Sequence, residues 1–403
     1  MEIGPVEITE SPGRQGLVRL RCEVAYADHA RPAEEYWFEV EAPCAGLLTT
    51  DGNAWIAGLA PLAATLGEPL RSSAPIDAAL IDNVRELMRV WSAWYPELRV
   101  PSVEGPIRDS PASADRTAAF FSGGVDSFFT ALRHAHGAGT PRTERIDDLI
   151  FVHGFDIAIE NDNAVRTVRP ALESAAARLG RRLVVVRTNL RATRFGTTGW
   201  ARLSHGAALA AVGHALGRGY AKVLVPSSAG YRDLRPWGSH PLTDPLFTSS
   251  TLQVLHDGPA YMRVEKTAFI AQHDVALDTL RVCWRSKTGL NCGACNNCYR
   301  TMLALEVLGV LERCATFDRT ALDMRRAGRI YCPESYDIRQ FGYIRDLALA
   351  HGRDDIVAAI DRSLRGSRTL VKRISRIRRV RRPAVAGRFA RRVEDKLLDG
   401  WLI

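Results

Sequence analysis

The sequence predicts an α/β protein: a parallel five-stranded sheet sandwiched by helices, preceded by an N-terminal α+β domain and followed by a C-terminal helical region with a basic tail. Three observations lead there. Between residues 117 and 225, short apolar runs alternate with stretches of helical period. A glycine-rich turn, Ser122-Gly123-Gly124-Val125-Asp126-Ser127, joins the first of those runs to the first of those helices. Positive charge gathers at one end: of a net +9, residues 361–392 carry thirteen Arg or Lys against one Asp, so the rest of the 403-residue chain is close to neutral.

Residues 18–24 alternate apolar and polar, as a half-buried strand does, and residues 36–40 read as a second strand. Over residues 76–94, Ile76, Leu80, Val84, Leu87, Met88 and Trp91 recur at helical spacing. Together these form an N-terminal domain, residues 1–110, whose aromatic residues read as core. A linker rich in Pro, Ser and Asp spans residues 101–115. The central domain, residues 111–315, places strands at 117–121, 149–153, 183–187 and 222–225 and helices at 127–136, 165–179 and 204–216. Strands that are apolar throughout and separated by helices belong to a parallel sheet covered on both faces. Ligands of such sheets sit beyond the carboxyl ends of the strands, which directs attention to the residues just after each strand. The C-terminal region is residues 316–403.

The composition, 46% hydrophobic and 25% charged, is that of a folded globular protein. Eight cysteines in this length are too sparse for a disulfide scaffold, and four of them cluster, which predicts a reducing, cytoplasmic setting. The opening Met1-Glu2-Ile3-Gly4-Pro5 is acidic and lacks the apolar core of a secretory signal. No apolar stretch of roughly 18 residues is present, so no membrane-spanning helix is expected.

The glycine turn carries the chemistry. A strand, a tight turn and a helix N-terminus aim backbone N–H groups outward, and the helix dipole adds partial positive charge there, which suits an anion. The paired glycines let a phosphate approach without a Cβ in the way. Ser122 and Ser127 offer hydroxyls, and Asp126 either holds Mg²⁺ or orients the turn. The common nucleotide loop GxxxxGK[ST], with its lysine, is absent. The hexapeptide instead resembles the PP-loop of the N-type ATP pyrophosphatases. That resemblance covers residues 115 to 310 and implies an adenine nucleotide alpha hydrolase-like, Rossmann-like fold. It also implies ATP cleavage between the α and β phosphates and activation of a substrate as an adenylate. It gives the ATP site to Ser122, Gly123, Gly124, Val125, Asp126 and Ser127, with Asp126, Ser127 and Lys266 in catalytic roles. It lays the end of the second strand, His153, Gly154 and Phe155, against the adenosine. Lys266, at the start of a helix over residues 263–273, is the counterpart of a lysine that reaches the phosphates, the alternative being a solvated surface lysine.

Beyond the fourth strand, residues 232–250 are too rich in Pro and Gly for regular structure, yet bunch Arg232, His240 and Asp244. Long irregular loops of compact enzymes often recognise substrate, so these three are weak candidates for acceptor recognition. Cys283, Cys292, Cys295 and Cys298 follow as C-x8-C-x2-C-x2-C. Four thiolates within sixteen residues suit a closed tetrahedral Zn²⁺ site of structural type, with an iron–sulfur cluster as the rival occupant. Their order is most similar, within the family, to the zinc site of 7-cyano-7-deazaguanine synthase. Arg300, just past the last cysteine, faces either substrate or its own helix surface. Cys22, Cys44, Cys314 and Cys332 are scattered and read as buried or incidental thiols.

In the tail, Leu370, Val371, Ile374 and Ile377 lie at helical spacing among arginines, a basic amphipathic helix that Pro383 would end. Its candidate partners are nucleic acid, anionic lipid, an acidic protein, the chain's own body or a second copy in a homodimer. The resemblance implies an AMP- and pyrophosphate-forming ligase or amidating enzyme, dependent on ATP and Mg²⁺, that adenylates a small-molecule carboxylate or amide for attack by ammonia or an amine. The alternatives are a tRNA- or nucleobase-modifying enzyme anchored by the basic tail, and a nucleotide-sensing protein with a degenerate site.

Overall fold

The computed structural model describes residues 1–28, 31–108, 114–137, 143–380 and 401. The chain divides into two compact units, Met1–Tyr261 and Met262–Ile403.

The first unit is α/β, built on one mostly parallel sheet with helices packed against it. Strands Gln253–Asp257, Lys222–Pro226, Thr117–Phe120, Asp148–His153 and Arg182–Thr188 lie side by side in that order, all parallel. In chain order the central strand is Thr117–Phe120; the next two build outward on one side and the last two on the other. The sheet is larger than the five strands expected. Strand Glu34–Glu41 adds antiparallel to Arg182–Thr188, and Leu17–Ala25, Glu2–Ile3, Leu70–Ser72 and Val103–Glu104 continue it, with Glu7–Glu10 also on Leu17–Ala25, eleven strands in all. The physical reason is an open sheet edge: Arg182–Thr188 would otherwise present unpaired backbone groups.

That seam is tightly made. Glu39, fully buried, is the register partner of Arg187 and pairs with both Arg187 and Arg19. Beyond the last ladder pair, Asn189 prolongs the bonding with its side chain, accepting from Trp37 N (2.9 Å) and donating to Glu35 O (2.7 Å). The turn after the third strand is therefore a joint between the two halves of the sheet.

Alternate residues of the parallel strands face opposite ways. Ala118, Phe120, Ile150, Val152, Val184, Val186, Val223 and Val225 share one core with helices Asn53–Leu66, Ala78–Trp94 and His205–Ala215. Asn53–Leu66 approaches His205–Ala215 closely enough that a Cβ on Gly58 would stand 3.0 Å from Ala211 Cβ. On the other face lie helices Val125–His136 and Asp162–Arg178, with Phe121 edge-on to Phe128 at 4.9 Å.

The second unit is helical in its described residues: Arg263–Ile270, Asp274–Thr279, Asn296–Val307, Met324–Ala327, Ser335–Ala350 and Asp354–Val380. It buries its own core, including Met302, Leu303, Phe341, Ile344, Ile356 and Ile360. The tail helix starts at Asp354, ten residues before the 364–380 span over which its apolar residues recur among arginines. Residues 381–392 and Pro383 lie outside the described residues, as do 109–113 of the linker.

Candidate functional site

The buried strand Thr117–Phe120 leads into the glycine turn. Gly123 takes φ +75°, the left-handed region where a side chain costs energy. Gly124 is the extended residue from which helix Val125–His136 starts, two residues earlier than expected. Among the described residues no side chain caps that helix. Its serines brace the turn: Gly124 N donates to Ser122 Oγ (3.3 Å), and Ser127 Oγ donates to Gly124 O (3.0 Å). Asp126 stands in the first helical turn. The turn thus offers a braced helix N-terminus, with a carboxylate beside it that would repel a bare anion and favour one accompanied by a divalent cation.

His153, Gly154 and Phe155 follow the adjacent parallel strand and so share this edge of the sheet. Their side chains are engaged within the protein. His153 is buried, its Nε2 2.9 Å from Ala158 O, and burial pushes its imidazole pKa down. Gly154 adopts φ +111°, and a Cβ there would stand 2.1 Å from Thr188 O, so only glycine fits. Phe155 packs against Trp200, the two rings tilted with centroids 5.0 Å apart.

At the same edge the fifth strand ends in two residues that the sequence reading did not single out. Asp257 accepts from Thr130 Oγ1 (2.7 Å) and from His134 Nε2 (3.0 Å); His134 Nδ1 accepts from Glu144 N, which leaves the proton on Nε2. Burial would raise the Asp257 carboxyl, but His134 and the Arg133 charge hold it below the usual carboxylate range. His256 Nδ1 lies 2.7 Å from a carboxylate oxygen of Asp244.

Asp244 is fully buried and gathers its loop: Ser239 Oγ donates to it at 2.6 Å and His240 N at 3.1 Å. His240 packs edge-on against Trp94 at 5.0 Å. Thus Asp244 and His240 come together with His256, while Arg232 is exposed. His205, which opens helix His205–Ala215, adds a third imidazole near Asp244; a Cβ on the next residue, Gly206, would stand 2.8 Å from Asp244 Oδ1. A cavity of about 210 Å³ lies instead at the amino-terminal edge of the sheet, lined by Asp51, Asp77, His214 and Arg218 among others, and none of the expected site residues lines it.

In the second unit, Lys266 is only 1% exposed, which excludes the solvated surface lysine. Arg300 donates to Asn297 Oδ1 on its own helix (2.9 Å). The four cysteines converge. Cys283 and Cys295 Sγ are 3.9 Å apart, Cys292 and Cys298 Sγ 3.8 Å, and all four lie within 4.8 Å of one another. Sulfurs about 2.3 Å from one tetrahedral ion would be about 3.8 Å apart, so the group can hold a single metal ion such as zinc. An iron–sulfur cluster, with several metal atoms among the thiolates, needs a wider spread. Gly293 turns the chain at φ +62°, and Asn291 clamps it, accepting from Val282 N (2.9 Å) and donating to Leu280 O (2.9 Å). Cys295 and Cys298 share a hydrogen bond that lowers the Cys295 thiol and raises that of Cys298, so without a cation one proton is held between them. Cys22, Cys44, Cys314 and Cys332 are buried free thiols.

No helix among the described residues is long and apolar enough to cross a membrane. No protein-family model, curated protein or solved structure matches the chain.

Proposed function

We propose that the chain is an N-type ATP pyrophosphatase that transfers AMP to a small-molecule acceptor. The observation that carries this reading is the position of the glycine turn. It follows the central strand of five parallel ones, where the strand order reverses, and such a switch point opens the crevice in which doubly wound sheets bind nucleotides. The arrangement supports the Rossmann-like class for this part of the sheet.

In this reading the N–H groups of the first helical turn and the Ser122 hydroxyl hold the phosphates of ATP, while the Ser127 hydroxyl, which donates to Gly124 O, keeps the turn in shape. Asp126 holds the accompanying Mg²⁺, which neutralises charge that no P-loop lysine is present to balance. An acceptor carboxylate or amide oxygen attacks the α-phosphorus, the bond to the bridging oxygen of pyrophosphate breaks, and pyrophosphate leaves with that electron pair. The chain's part is positioning and charge stabilisation. The imidazoles of His240 and His256 around Asp244 lie at the same edge and are the groups best suited to recognise the acceptor. Zinc in the cysteine knot is structural, since four thiolates leave no open position. Eight free thiols agree with a reducing compartment such as the cytoplasm.

The test is product analysis. Full-length protein with ATP, Mg²⁺ and a panel of carboxylates should release AMP and pyrophosphate, and Asp126→Asn should lower that release by about 100-fold or more while the fold survives. Production of ADP, or turnover untouched by Asp126→Asn, would sink the proposal.

A further inference from the structure

The helix Asp354–Val380 has two unlike faces. Ile356, Ala359, Ile360, Leu370 and Ile374 are buried, and Ser363 and Ser367 donate to Ile330 O at 2.6 and 3.1 Å. Its apolar face is therefore docked within its own unit and closed to lipid or to a partner helix. The outward face carries Arg362, Arg365, Arg368, Lys372 and Arg376, all exposed. Steps of three and four residues put these cations in one stripe, about 21 Å from first to last. Of the three acids of the helix, Asp354 and Asp355 stand before the stripe and Asp361 at its margin; Asp355 pairs with Arg353 (2.9 Å) and Asp361 with Arg345 (2.7 Å). Among the described residues no carboxylate forms an ion pair with any of the five cations. Arg325 and Arg329, on and just after the short helix Met324–Ala327, widen the patch; a Cβ on Gly328 would stand 3.2 Å from Arg362 Nε.

We propose that this stripe docks on the phosphate backbone of a double-helical nucleic acid without reading its sequence. In this run of exposed like charges only Arg365 acts on a carboxylate of the helix, that of Asp361, without a direct ion pair, so the stripe keeps a self-repulsion that a polyanion relieves. Residues 354–376 contain no aromatic side chain, and the ring set against the helix at Gly366, that of Trp401, is edge-on to Tyr331, so the stripe itself offers no run of rings on which unpaired bases could stack. A duplex, whose phosphates line its outside, needs none.

The experiment measures binding of the full chain to a fluorescein-labelled 20-base-pair duplex of mixed sequence by anisotropy, from about 50 to 300 mM KCl. Four or five phosphate contacts give a slope of log K against log salt of about −4. The quadruple variant R365Q/R368Q/K372Q/R376Q should bind at least about 100-fold more weakly at low salt, with a slope shallower by about 3 to 4. R365K/R368K/R376K, which keeps the charge, should stay within about threefold, separating charge from folding. Unchanged affinity and slope in the quadruple variant would overturn the proposal. So would tighter binding to single strands, polyglutamate or phosphatidylserine vesicles than to the duplex.

Discussion

At the glycine turn the outward polar groups belong mainly to the backbone; at the cysteine knot they belong to side chains. The turn is fixed from both sides by elements that are buried for their own sake, strand Thr117–Phe120 and helix Val125–His136 with Phe128 and Phe129 in the core. The knot has no such support. Between Leu280 and Cys295 the chain forms neither helix nor strand, and Trp284 and Leu290 there are exposed. A site of the first kind is shaped before its ligand arrives. In the second kind the ligand is part of the fold, because thiolates this close repel one another until a cation joins them.

Removing the metal should break that contrast open most widely. Elemental analysis should find one zinc per chain. Stripping it with a strong chelator, or replacing Cys298 by Ser, should forfeit folding free energy on the order of 10 kcal/mol, as for structural zinc sites generally. New proteolytic cuts should then fall between residues 281 and 316. ATP with Mg²⁺ at about 100 times its Kd should add only about 2.7 kcal/mol. Equal resistance to proteolysis with and without metal would show that the knot holds its shape unaided.

A smaller effect is expected at the turn. Gly123→Ala places a side chain at φ +75° and should cost about 1–2 kcal/mol, read as a lower denaturant midpoint with an unchanged m-value. The protein should remain folded, while pyrophosphate release falls far more than stability, since the substitution disturbs the path of the N–H groups. A variant as active as the parent would mean that the turn is only a connection.

The geometry of both candidate sites was legible for the same reason: each is local. A glycine pair between an apolar run and a helix, or four cysteines within sixteen residues, states its geometry within one stretch of chain. What was not legible is non-local. Helix Asn53–Leu66 shows no period because nearly all its residues are buried, so no polar face marks it. The joining of Glu34–Glu41 to Arg182–Thr188 depends on residues about 150 positions apart, with no signal beyond a charge on each. Strand Gln253–Asp257 was missed because it is an edge strand, with Gln253 exposed and His256 half-buried, and its polar residues masked the β pattern. With it went His256, whose partner Asp244 had already been singled out.

The smallest effect concerns pH and sharpens the difference from the unit that carries the cysteine knot. In the first unit His153 and His214 are buried and His205 and His240 half-buried, and desolvation pushes the pKa of each of these four down. In the unfolded chain they titrate near 6.5. Above about pH 6.5 both states are neutral and these groups give no pH dependence. As pH falls below that value the unfolded chain takes up protons that the folded chain refuses, so stability is lost toward the lower folded values. Asp257 acts in the same sense further down: its depressed carboxyl contributes stability above about pH 4 that is lost as pH falls through its folded value. Tryptophan-monitored melting should therefore give a flat Tm between about pH 8 and 7 and a decline of a few degrees by about pH 5.5, with net proton uptake on unfolding there. A Tm that holds or rises over that interval would mean that these histidines are already protonated in the fold, and that the cluster around Asp244 is an ion-paired site.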